Sequence, residues 1–160
     1  GLLQSAPAAA ASSAAPLGSA AAQGSLGATE FAPYFNYAGP LKVSGALHVT
    51  PAGAGSQALS WSLEGVDANC GCLDHAGAAL ACNIAIHAGM DCSSDALGHL
   101  ARAFDPWGSV AYATQTGTSA SGGATVSTGL DLDTEVGHAV IVRDISGTPA
   151  ACGVLQAGAA

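Results

Sequence analysis

The sequence has few charged side chains. Of its 160 residues, only 9% are Asp, Glu, Lys or Arg, against about 25% in an average soluble protein. Three residues are basic and eleven are acidic, which gives a formal net charge of -8. Because nucleic acids and anionic membranes are bound by clustered Lys and Arg, neither is an expected partner.

Long apolar runs and clear amphipathic helices are also missing. No run of about 20 apolar residues is present, so the chain is not expected to span a bilayer. The Ala-rich start lacks a basic segment and does not resemble an intact signal peptide, and a first residue Gly1 fits a processed protein. Hydrophobic residues still make up 49% of the chain, which is enough for a packed core.

The first forty residues form one compositional block. Ala, Ser, Gly and Pro dominate residues 1–40, and no periodic apolar face is present. We therefore predict an N-terminal arm over residues 1–40 and a folded domain over residues 41–160. We expect the arm to contact other protein chains of a larger assembly, and the alternative is that it packs on its own domain. Four aromatic residues near its end are predicted to dock it: Phe31, Tyr34, Phe35 and Tyr37.

Short alternating segments follow the arm. Leu59, Trp61 and Leu63 alternate with polar residues, as in a half-buried strand. Several such segments separated by Gly, Ser, Asp and Pro predict an all-β sandwich or barrel. The predicted strands lie near residues 41–47, 59–64, 83–87, 110–114, 124–130, 138–142 and 152–155.

The five cysteines are Cys70, Cys72, Cys82, Cys92 and Cys152, and their spacing matches no zinc ribbon. Disulfides in an oxidising compartment, with one thiol left over, are favoured over buried free thiols. The thylakoid lumen and the secreted or extracellular space both qualify.

Seven short motifs stand in order between residues 59 and 155. They read LSWSLEGVD, CNIAIHAGMDC, ALGH, DPW, TGLD, GHAVIVRD and ACG. Together they resemble the copper/zinc superoxide dismutase superfamily, and most of all its copper-only repeat branch. The resemblance implies a Greek-key β-barrel, in agreement with the predicted strands. It also implies a disulfide between Cys92 and Cys152, and Cys82 would then pair with Cys70 or Cys72.

The copper ligands that this resemblance implies are only partly present. The two ligands at alternate positions of one strand correspond to Ala85 and His87, and the third corresponds to His99. The fourth corresponds to Arg143, whose guanidinium has no lone pair to donate. Pro149 stands where the family has an arginine that guides superoxide. The resemblance therefore implies a degenerate copper site, and no cofactor is expected.

Two alternatives remain open at this site. His87 and His99 could still bind copper or zinc weakly if Asp91, Asp144 or water completed the ligand set. Otherwise the two histidines belong to a vestigial pocket.

Arg143 and His138 fall on opposite faces of one predicted strand. Arg143 either enters the old copper cavity and pairs with Asp144 or another carboxylate, or points outward toward a neighbouring subunit. His138 is predicted to be exposed.

The sequence thus favours a superoxide dismutase-like domain without catalytic activity. It would act as a structural or interaction subunit of a larger assembly, docked through its N-terminal arm, for example on the lumenal side of an algal photosystem. The alternative is a secreted copper-only superoxide dismutase or a copper-binding module with rearranged ligands.

Overall fold

A computed structural model describes residues 24–71, 79–100 and 105–158. Within these ranges the chain forms nine strands and two short 3-10 helices, at Ala68–Gly71 and Leu132–Thr134. The strands are β1 (Leu26–Ala28), β2 (Ala32–Pro33), β3 (Ser44–Pro51), β4 (Ser56–Glu64), β5 (Ile84–Ile86), β6 (Ala120–Ser127), β7 (Ala139–Arg143), β8 (Pro149–Val154) and β9 (Gln156–Ala157).

The strands build two antiparallel sheets. One has five strands in the order β6-β4-β3-β1-β9, and the other has four in the order β2-β8-β7-β5. The chain changes sheet between β4 and β5 and again between β5 and β6, so that β6 pairs with β4 rather than with its neighbour in sequence. This architecture confirms the predicted all-β, Greek-key class.

The five-stranded sheet has one buried face, as the alternation in β4 predicts. Leu59, Trp61 and Leu63 are buried in the main core, while Ser60 and Ser62 are exposed. Burying one such apolar side chain contributes roughly 1.5–3 kcal/mol. This sheet supplies much of the main core, and none of its residues lines the cavity described below.

Three strands of the four-stranded sheet, β5, β7 and β8, are largely buried, whereas β2 is exposed. Every residue of β5 is buried, and four of the five residues of β7 are buried. A second apolar cluster lies apart from the main core and includes Tyr34, Ala96, Ala139, Ile141 and Cys152. Continuous apolar strands of this kind are typical of sheets that are buried on both sides.

The N-terminal prediction needs a correction. Strand β1 lies inside the five-stranded sheet, between β3 and β9, and β2 pairs with β8 at the edge of the other sheet. Residues 24–40 therefore belong to the folded domain, and the boundary predicted between residues 40 and 41 lies too late in the chain. Strands of three and two residues are too short to show alternation, and backbone pairing with their neighbours places them. Residues 1–23 of the predicted arm lie outside the described residues.

Two other predicted strands also differ. The strand predicted near residues 110–114 is reduced to a single bridge between Ala111 and Asn83. The first predicted strand begins at Ser44 rather than Leu41 and continues to Pro51. None of the helices in the described ranges has the length and apolarity that a membrane crossing would need.

Candidate functional site

Two histidines face each other at the end of β5. His87 directly follows the strand and forms an antiparallel bridge with His99, because the chain between them folds back on itself. The ring centroids lie 4.8 Å apart and the ring planes are at 78°. Both residues are at least nine-tenths buried, with 2% and 8% of their surface exposed.

Hydrogen bonds fix the tautomers of both rings. His87 Nδ1 lies 2.9 Å from the carbonyl oxygen of Leu97, and His99 Nδ1 lies 2.7 Å from Asp105 Oδ1. Carbonyl and carboxylate oxygens accept hydrogen bonds, so each Nδ1 carries the hydrogen and each neutral ring has its lone pair on Nε2. Neither Nε2 has a hydrogen-bond partner in the described part of the chain.

Burial keeps the His87 ring neutral. Desolvation is the main cause that lowers the pKa of His87 to about 4, and the nearby His99 and Arg143 lower it further. An imidazole in this environment presents a lone pair rather than a proton at neutral pH.

An open cavity of about 310 Å³ is lined by both histidines, Leu80, Leu97, Gly98, Asp105 and Arg143. Three of these residues, Leu80, Leu97 and Asp105, have φ angles of 61°, 65° and 40°. A non-glycine residue in this region costs of order 1–3 kcal/mol, and such residues concentrate at ligand sites. The strained backbone thus marks the same place as the two imidazoles.

Arg143 lies at the end of β7 and enters this cavity. Its Nη1 donates to the carbonyl oxygen of Gly147 at 2.8 Å, while its Nε is buried without a partner in the described ranges. The pairing with Asp144 or another carboxylate is not formed, since no carboxylate of the described residues lies within ion-pairing distance of Arg143. Burial lowers the pKa of Arg143, but a guanidinium stays protonated at neutral pH.

The remaining predicted copper-site residues lie outside the cavity lining. Ala85 is fully buried beside Ile141 in the neighbouring strand. The Asp91 carboxylate accepts hydrogen bonds from Ser93, and the Asp144 carboxylate accepts them from Ser146 and Thr148. Both carboxylates therefore accept hydrogen bonds within the turns in which they lie.

These residues do not fit a copper ion. Two imidazole nitrogens are available, and a permanent cation shares their cavity. In the described ranges no group of three or more His, Cys, Asp or Glu side chains could hold a metal. Two imidazoles are a small donor set for a stably bound copper ion, and a guanidinium has no lone pair to add to it.

The structure forms two disulfides. Cys92 is joined to Cys152, as the resemblance implies, with the Cα atoms 5.7 Å apart. Cys82 is joined to Cys70 rather than Cys72, with the Cα atoms 6.0 Å apart. Disulfides persist in oxidising compartments, so the pair indicates a location outside the cytosol.

The aromatic residues predicted to dock a partner mainly contact their own domain. Phe31 packs against the main core and Tyr37 against the second cluster. The Tyr34 hydroxyl donates to Asp95 Oδ1 at 2.9 Å, and Tyr34 itself is buried. The segment therefore packs on its own domain, which was the alternative prediction. Tyr34 and Tyr37 pack with the apolar residues of β7 and β8 in the second cluster. Phe35 is the exception, since it is 49% exposed.

Neither His138 nor His48 belongs to the cavity lining. His138, predicted to be exposed, is half-buried, and its Nδ1 donates to the carbonyl oxygen of His87 at 3.0 Å. His48 is half-buried on β3. His75 lies outside the described residues.

Two interacting polar residues in the interior were not found from the sequence. Glu135 and Gln57 are 0% and 1% exposed, and Gln57 Nε2 donates to Glu135 Oε2 at 2.6 Å. Glu135 follows a short acidic segment that is polar in the sequence, so no local pattern marks its burial. The sequence did mark Asp105, the partner of His99. It is the first residue of the DPW motif and lies six residues after His99.

No protein-family model matches the chain. No curated protein matches it either. Solved structures do match. The crystal structure of the clock protein EA4 matches with a TM-score of 0.58 at 11% identity, over 85% of this chain and 96% of that chain. A single-residue mutant of Candida albicans superoxide dismutase 5 gives 0.53 at 16% identity, over 85% and 93%.

The Cu(II) form of Candida albicans superoxide dismutase 5 matches with a TM-score of 0.50 at 17% identity, over 83% of this chain and 91% of that chain. Identities this low carry information about the fold and not about the chemistry. The chain therefore has the superoxide dismutase-like fold.

Proposed function

We propose that the chain is a catalytically inactive superoxide dismutase-like domain that serves as a structural or interaction subunit of a larger assembly. One observation carries the first half of this proposal: Arg143 lines the same cavity as His87 and His99.

The guanidinium works against a redox metal in two ways. It contributes no ligand at the position where the resemblance implies the fourth imidazole. It also places a positive charge beside the metal position, and two unit charges about 4 Å apart in a partly buried site repel by about 4 kcal/mol. Dismutation would need a metal that changes its oxidation state, so losing the metal removes the reaction.

The interaction role rests on the surface and on the N-terminal segment. Low charge suits a surface covered by other chains, because charged residues are depleted in the centres of interfaces. Phe35 is a large apolar side chain left half exposed, and residues 1–23 precede β1. As the specific assembly we propose the lumenal side of an algal photosystem, and an extracellular assembly is the alternative.

A copper-binding module is the second candidate. It is favoured by the two imidazole Nε2 atoms, which are buried without a partner in the described ranges. Imidazole suits copper, and two such donors could bind it weakly. The experiment below separates this candidate from the first.

The unmodified chain should retain little copper and show no dismutation. After incubation with Cu(II) and exhaustive dialysis, we expect well below one equivalent by metal analysis, whereas Ala85→His with Arg143→His should retain about one, because four imidazoles are then available. Arg143→His alone is the matched intermediate and should retain less than the double variant. Tight stoichiometric copper in the unmodified chain would support the second candidate and reject the first.

Removing residues 1–23 should release the domain from its assembly. Residues 24–40 stay in the truncated chain, so β1 and β2 keep their places and the domain should remain folded. Native gel electrophoresis of extracts from the producing cells should show the full chain in a large complex and the truncated chain as a small species. If both chains migrate in the same large complex, the docking role of this segment is wrong.

A further inference from the structure

The cavity that holds Arg143 offers both hydrogen-bond donors and acceptors, and this combination restricts what it can bind. The two imidazole Nε2 atoms are acceptors, because Leu97 and Asp105 hold the hydrogen of each ring on Nδ1. Arg143 Nε is a donor, and all three nitrogens are buried without a partner in the described ranges. Unpaired buried polar atoms are costly, so a native site of this kind is expected to be completed by a ligand or water.

Two charged side chains line the cavity: Asp105, whose Oδ1 already accepts from His99 Nδ1 and Trp107 N, and Arg143, which has no carboxylate partner in the described ranges. Arg143 is one of three basic residues in a chain of formal net charge -8. Its side chain is half-buried, and no carboxylate of the described residues lies within ion-pairing distance. A partly buried guanidinium is stabilised by an anion, and oxyanions match the geometry of its N–H groups.

An oxyanion without a proton would meet two lone pairs that repel its oxygens. An oxyanion that keeps an O–H at neutral pH can accept from Arg143 and donate to an imidazole Nε2. Hydrogen phosphate has this combination, while sulfate has the same shape and lacks the O–H. The open cavity of about 310 Å³ has ample room for either ion.

We propose that this cavity binds a small protonated oxyanion of the hydrogen phosphate type, with Arg143 as its charge partner and His87 and His99 as acceptors of its O–H. The site would thus take an anion where the resemblance implies a copper ion. This inference goes beyond the structural role proposed above and does not depend on any partner chain.

Titration of the full chain with inorganic phosphate at pH 7, followed by calorimetry, tests the proposal. We expect a dissociation constant of about 1 mM or below, and binding of sulfate at the same ionic strength about tenfold weaker or more, since sulfate leaves the imidazole lone pairs unpaired. The ¹⁵N NMR signals of His87 and His99 Nε2 should shift with phosphate and not with sulfate.

Arg143→Gln should weaken phosphate binding about tenfold or more, because it removes the charge-assisted hydrogen bonds. Lys42→Gln is the matched control: it removes the same charge at an exposed position outside the cavity lining and should leave binding unchanged. Equal losses in both variants, equal affinity for sulfate, or no binding at tens of millimolar phosphate would each overturn the proposal.

Discussion

Replacing Cys92 and Cys152 by serine is expected to lower the free energy of unfolding by about 4 kcal/mol. The disulfide closes a loop with a sequence separation of 60 and joins the segment after β5 to β8. Without this link the unfolded chain gains the conformational freedom of the whole loop. Urea unfolding of the Cys92→Ser/Cys152→Ser variant beside the unmodified chain measures the difference.

The second disulfide provides the matched comparison. Cys70 and Cys82 have a sequence separation of 12, so the Cys70→Ser/Cys82→Ser variant should lose less, about 3 kcal/mol. Each double variant replaces both cysteines of one disulfide, so neither variant leaves a free thiol from that disulfide. A larger loss for the shorter loop would show that local packing, and not loop closure, determines the effect.

A second large effect is expected at Glu135. Its side chain is fully buried, and within the described ranges no Lys, Arg or His side chain pairs with it. Burial raises the pKa of Glu135 to about 7, although the hydrogen bond from Gln57 partly offsets this. The folded chain therefore holds a proton between pH 4.5 and 7 that the unfolded chain releases.

Since the folded state binds the extra proton, Glu135 favours folding most below pH 4.5 and loses this contribution as the pH rises through about 7. The full difference is about 3 kcal/mol. Glu135→Gln should thus be more stable than the unmodified chain by about 3 kcal/mol at pH 8 and nearly equal to it at pH 4.5.

Thermal and urea unfolding across pH 4.5–8 provide this measurement, and the comparison between variants removes other titrating groups. His87 acts in the opposite direction, because its lowered pKa makes the fold lose stability as the pH falls from 6.5 toward 4. Asp133→Asn removes an equal charge at an exposed position two residues earlier. Its difference in stability from the unmodified chain should not change with pH in this way. A constant difference between Glu135→Gln and the unmodified chain at all pH values would contradict the buried-carboxyl explanation.

Much of the fold could be predicted from sequence alternation. Leu59, Trp61 and Leu63 mark β4 because one face of the five-stranded sheet meets the core and the other meets water. Strands β1, β2 and β9 could not be found in this way, since each has three or fewer residues and their positions depend on distant pairing partners. Propensity is weak in such short elements, and tertiary contacts decide them.

The candidate site was predicted in part. His87, His99 and Arg143 share one cavity, as expected from the motifs. Ala85 lies outside its lining and is buried in the main core. Glu135 could not be predicted, since burial of a carboxyl depends on how the loop after β6 packs and not on the neighbouring residues.

The position of β1 has a consequence for folding during synthesis. Leu26 can pair with Val49 soon after both leave the ribosome, but its other neighbour, Ala157, is made 131 residues later. At a typical rate of translation this interval lasts roughly 10 s. Until then the N-terminal strand has an open edge in a sheet that is otherwise forming, and unpaired edges invite pairing with other chains. Nascent chains of this protein therefore expose that edge until the last strand of the domain, β9, closes it.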